Sequence, residues 1–77
     1  MIIMKQDNIE ITISSDLDYD CLIAEIMIND VFVGLVTNEP DKGICFEVPE
    51  GQMRIGSISL ETFQAALVRA KDALIKD

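Results

Sequence analysis

Histidine and tryptophan are absent from this 77-residue chain, and only four residues are aromatic: Tyr19, Phe32, Phe46 and Phe63. Without an imidazole, the two cysteines have no histidine to complete a zinc site, and Cys21 and Cys45 do not form a C-x-x-C pair. Both lie in apolar runs and read as reduced, partly buried thiols of a cytosolic protein rather than a disulfide. Basic residues are also scarce, six against fourteen acids, for a net charge of −8. So few cations and aromatics argue against a nucleic-acid-binding surface. No apolar stretch approaches the ~18 residues of a membrane span. Met1-Ile2-Ile3-Met4 is too short for a signal sequence, and Lys5 follows it rather than preceding it. The expected location is the cytoplasm.

Residues that carry catalysis are equally thin. The four glycines, Gly34, Gly43, Gly51 and Gly56, lack a phosphate-cradling spacing, and no acid stands in a recognisable general acid–base pair. No histidine or serine nucleophile context is present. The sequence predicts neither enzyme, metal site nor cofactor, and points to a protein that works by binding.

What the chain does have is hydrophobicity: apolar residues make up 49 % of it, enough for a small core in one domain spanning residues 1–77. Residues 8–14 alternate, with Ile9, Ile11 and Ile13 on one face and Glu10, Thr12 and Ser14 on the other, the period of a half-buried strand. Ile2–Met4 either extends this strand or forms a separate one. Two apolar runs, residues 21–28 and 31–37, flank Asn29-Asp30 and read as a hairpin on a two-residue turn. That turn predicts the pairs Ile28–Val31, Ile26–Val33, Ala24–Leu35 and Leu22–Thr37 on a face turned to a helix. Residues 38–43 read as a loop. Residues 44–48 form the next strand, with Ile44, Phe46 and Val48 inward, and residues 49–52 turn into a short last strand over residues 53–58.

The helix is expected over residues 60–76, capped by Ser59 with Glu61 in its first turn. Leu60, Phe63, Leu67, Ala70 and Leu74 fall in one arc at helical spacing, widened by Ala66 and Ala73. Val68 and Ile75 lie toward the outer flank and read as the margin of a broad core stripe or of a partner patch. The predicted class is α+β: an antiparallel sheet meander of four to five strands with one C-terminal helix packed on one face.

The acids are unevenly placed. Residues 1–50 hold eleven acids against Lys5 and Lys42, net −9, whereas residues 51–77 hold three acids against four bases, net +1. Such a field attracts basic partners and repels nucleic acid and anionic membranes. Asp16-Leu17-Asp18-Tyr19-Asp20 begins like a calcium-binding EF-hand loop. Cys21 stands where that loop needs glycine, however, and Met27 where it needs glutamate. If extended, the segment points its three carboxylates one way and Leu17 and Tyr19 the other. It reads as a solvated connection or as an acidic ledge with Tyr19 as an aromatic anchor. With Glu39 and Asp41 in the later loop, the candidate partner-binding residues are Asp16, Asp18, Tyr19, Asp20, Glu39 and Asp41.

The stretches Leu17-Asp18-Tyr19-Asp20-Cys21-Leu22-Ile23-Ala24-Glu25-Ile26 and Phe32-Val33-Gly34-Leu35-Val36-Thr37-Asn38-Glu39, with Ser59-Leu60-Glu61-Thr62-Phe63, resemble small immunity proteins of bacterial toxin–immunity systems. These are the cytoplasmic inhibitors encoded beside contact-dependent or polymorphic toxins. The resemblance implies tight one-to-one binding of a cognate toxin domain, often a basic nuclease, held inactive by the complex. An acidic adaptor or regulatory subunit of an intracellular complex, homodimeric through a sheet edge, is the alternative of another class.

Overall fold

The computed structural model describes residues 7–49 and 56–76. Four strands, β1 (Ile9–Ser14), β2 (Ile23–Ile28), β3 (Val31–Glu39) and β4 (Gly43–Glu47), precede one helix, α1 (Leu60–Ile75). The strands form an antiparallel meander in the order β1-β2-β3-β4. With α1 packed against it, the architecture is the predicted α+β class. The expectations for Ile2–Met4, for the turn at residues 49–52 and for the strand over residues 53–58 lie wholly or largely outside the described residues. The part of that last strand that is described is not strand, and its Ile58 packs against the core.

The β2–β3 hairpin closes on Asn29 and Asp30, both at positive φ (52° and 67°), the backbone of a type I′ turn. Asn29 also ties the turn to β1. Its N–H donates to the Asn8 carbonyl, its Oδ1 accepts from the Asn8 N–H, and its Nδ2 donates to Asp7 Oδ1. Asp7 Oδ2 in turn accepts from Thr62 Oγ1 at 2.6 Å, which fixes the first turn of α1 beside the start of β1. Ser59 caps the helix as expected, its Oγ accepting from the Thr62 N–H.

The expected hairpin register holds for Ile28–Val31 and then slips. A β-bulge leaves Val33 as the extra residue, so that Ile26 pairs with Gly34, Glu25 with Leu35 and Ala24 with Val36. The predicted pairs Ile26–Val33, Ala24–Leu35 and Leu22–Thr37 therefore do not form. A one-residue slip exchanges the faces of every later side chain. Val33 and Val36 turn to the helix, while Leu35 and Thr37 turn to the opposite face. Strand β2 is also shorter than expected, and Cys21 and Leu22 belong to the preceding loop.

Ala24, Ile26, Ile28, Val33 and Val36 form the buried core with Ala66 and Ala70 of the helix, bordered by Ile9, Ile11, Phe63, Leu67 and Leu74. Alanine at the two closest helix positions lets α1 lie near the sheet. The arc predicted for the helix thus packs as expected except at its ends. Leu60 and Ala73 are exposed, as are Val68 and Ile75 on the outer flank. The helix covers β1, β2 and β3, and β4 lies at the margin of its cover. Ile44, Phe46 and Val48, expected inward, are 45, 38 and 40 % exposed. Phe46 still reaches the core edge, its ring packing edge-on against Phe63 at a centroid distance of 5.5 Å. Gly34 makes this possible, because a Cβ there would lie 2.6 Å from the Phe46 ring.

Candidate partner-binding surface

The face of the sheet away from the helix is built differently. Ile23 and Thr37 on it are fully buried and Leu35 nearly so. Thr37 Oγ1 donates to Glu47 Oε2, and the other oxygen of that carboxylate accepts from the Tyr19 hydroxyl at 3.0 Å. Tyr19, in the loop of residues 15–22, is half-buried, and its hydroxyl is tied to β4. Burial, reinforced by the Glu47 hydrogen bond and the charges of Glu47, Asp16 and Asp18, raises its pKa above the ordinary tyrosine value. The polar partners on this face are internal, so Tyr19, Thr37 and Glu47 form one connected network.

Glu39 makes a second tie. It ends β3, not a loop as the sequence suggested. Its carboxylate accepts from the Asp20 N–H at 2.7 Å and the Cys21 N–H at 2.9 Å. These charge-assisted bonds hold its pKa below the usual carboxylate range, the Asp20 amide contributing most. The bulge in β3 sets this geometry, since it decides which face the later side chains of β3 occupy. The Cys21 thiol is exposed rather than partly buried, and its pKa is raised by local desolvation and by the Glu39 carboxylate. Cys45 is half-buried, and both cysteines are free.

Within the loop, Asp16 organises a turn. Its carbonyl accepts from the Tyr19 N–H, and its Oδ1 accepts from the Asp18 N–H at 2.8 Å. The segment is therefore not extended, and the predicted split of carboxylates against Leu17 and Tyr19 fails. Leu17 is fully exposed at the turn while Tyr19 packs down. Asp16, Asp18 and Asp20 are exposed, and Asp41 is exposed in the β3–β4 turn that follows Glu39.

The six candidate residues thus divide by role. Asp16, Asp18, Asp20 and Asp41 present exposed carboxyl groups from two loops at one end of the sheet, and Lys42 is the one cation in those loops. Tyr19 and Glu39 hold the larger loop in place. Glu47, which sequence reasoning missed, is the second carboxylate that secures it. The only sequence signal for Glu47 was an acid alternating with Ile44, Phe46 and Val48, a pattern that any solvent-facing strand residue shares. Comparison with known proteins finds no matching family model, no similar curated protein and no similar solved structure. Among the described residues, no group of histidine, cysteine, aspartate and glutamate side chains is placed to hold a metal ion, and no helix is long and apolar enough to cross a membrane.

Proposed function

We propose that this protein is a cytoplasmic immunity protein that binds a cognate bacterial toxin domain, a basic nuclease, through its acidic loop surface and so neutralises it. The observation that carries this reading is the convergence of two acidic loops at one end of the sheet: Asp16, Asp18 and Asp20 on the loop that Glu39 and Glu47 tie down, and Asp41 in the β3–β4 turn. Exposed carboxylates on a fixed frame suit electrostatic steering of a basic surface, because little ordering is needed at encounter. The protein acts by occupation of the toxin's surface rather than by chemistry of its own.

The test looks beside this gene for a large protein with a toxic C-terminal domain and co-expresses that domain with wild-type protein or with Asp16→Asn, Asp18→Asn and Asp41→Asn combined; a neighbourhood without one would favour the adaptor alternative. None of these three carboxylates is part of the ties from Glu39 and Glu47, and Asp16→Asn keeps the Oδ1 that accepts from the Asp18 N–H, so the variant should melt like the wild type. The association rate should fall about tenfold or more at low salt and its salt dependence should flatten, with weaker protection of the cell. Unchanged kinetics and full protection would remove the acidic loops from the interface. A wild-type protein that fails to bind that toxin would favour the adaptor alternative.

A further inference from the structure

The outer side of β4 is the second unusual surface. Among the described residues no strand pairs with it there. Natural sheet edges are commonly blunted by lysine, proline or a bulge, and Gly43-Ile44-Cys45-Phe46-Glu47 contains none of these. Its two faces differ in chemistry. Toward the helix it shows Ile44, Phe46 and, just beyond, Val48, all between 38 and 45 % exposed. Toward the opposite face it shows Cys45 and the Glu47 carboxylate, with Glu39 on the neighbouring strand paired across from Gly43.

We propose that this edge takes up an extended strand of a partner chain in which apolar and basic side chains alternate. A strand added to β4 must send successive side chains to opposite faces. Those on the helix side would meet Ile44, Phe46 and Val48, and those on the other side would meet the carboxylates of Glu47 and Glu39. Glu47 and Glu39 each already accept two hydrogen bonds, but a carboxylate has about four acceptor positions. Charge also selects against a second copy of this chain as the occupant. Each copy carries a net −8, and pairing two β4 edges would bring two Glu47 and Glu39 clusters together. The Gly43 end of β4 leads directly into the turn that carries Asp41, so strand addition would continue the acidic surface rather than compete with it. The inference rests on the basic-partner reading above and adds to it the mode of contact.

The test uses the intact protein and three synthetic octapeptides: alternating lysine and valine, the same composition with the lysines in one block, and alternating glutamate and valine. The lysine–valine alternation should bind at least tenfold more tightly than either control. It should also slow hydrogen exchange at outward-facing β4 amides. Ile44→Lys and Val48→Lys, each checked for a wild-type melting temperature, should each weaken binding about tenfold; two positions are used so that one misfolded variant does not decide the matter. Equal binding of the blocked peptide would overturn the proposal, as would β4 amides already protected in the free protein. A dimer by sedimentation that the peptide does not dissociate would give the edge to a second copy and would likewise overturn it. The two readings fail separately. Toxin neutralised equally well by Ile44→Lys removes the strand contact and leaves the immunity function. Peptide captured by β4 in a protein that protects against no toxin does the reverse.

Discussion

The two faces of this sheet are sealed by different physics. On one, a regular helix lays Ala66 and Ala70 onto Ala24, Ile26 and Val36, and stability comes from apolar area removed from water. On the other, an irregular loop is drawn down by two carboxylates, Glu39 on backbone amides and Glu47 on hydroxyls. The first closure rests on apolar burial, with the Asp7 carboxylate on Thr62 as a polar tie. The second depends on ionised groups and on hydrogen bonds whose loss leaves buried partners unsatisfied. The face that is held by charge is also the one whose loop carries the exposed acids, so the proposed binding surface and its scaffold share one electrostatic environment.

The comparison predicts a graded series of effects. The largest should come from the helix face. Ile26 is fully buried at the centre of the core, and Ile26→Ala should cost about 2–5 kcal/mol, a large part of the stability of so small a domain. Chemical denaturation at neutral pH would measure it, and a cost under about 1 kcal/mol would show that the helix is not the main source of stability. Glu47→Ala comes next. It strips the buried Thr37 hydroxyl and the Tyr19 hydroxyl of their partner and should cost about 1–3 kcal/mol. It should also bring the tyrosine titration, followed by ultraviolet absorbance, back toward the ordinary value, because the carboxylate that helps to raise it is gone.

The smallest effect, and the most diagnostic, belongs to Glu39. Its folded-state pKa lies below that of the unfolded chain. Its contribution is therefore fully present above the unfolded-state carboxylate value and is lost as pH falls through the folded-state one. Glu39→Gln should be less stable than the wild type at neutral pH, with the gap closing in the acid range. A pH-independent gap between the two melting curves would mean that Glu39 acts by shape and not by charge.

Much of the helix face was legible in the sequence. Isoleucine at every second position fixed β1, Asn29-Asp30 fixed the turn, and the spacing of Phe63, Leu67, Ala70 and Leu74 fixed the inner side of α1. These are local periodicities, and a strand or helix repeats them whatever lies beyond. The other face was not legible, because its contacts join residues far apart in sequence: Tyr19 to Glu47, Asp20 and Cys21 to Glu39. Tyr19 looked like a free anchor because its composition suits an interface, and only the position of β4 shows that its hydroxyl is already used.

The sequence by itself determined the α+β class, the hairpin turn, the helix with its Ser59 cap and the concentration of acid in the first fifty residues. Each follows from residue type and short-range spacing. Tertiary structure alone decided the bulge at Val33, the exposure of Leu17 and of the β4 apolar row, and the capture of the acidic loop by Glu39 and Glu47. The bulge exchanges the faces of Leu35, Thr37 and every later residue of β3. At the bulge Val33 lies in the core and Gly34 lies under the Phe46 ring, an arrangement that involves β2, β3, β4 and the helix and that no single segment contains.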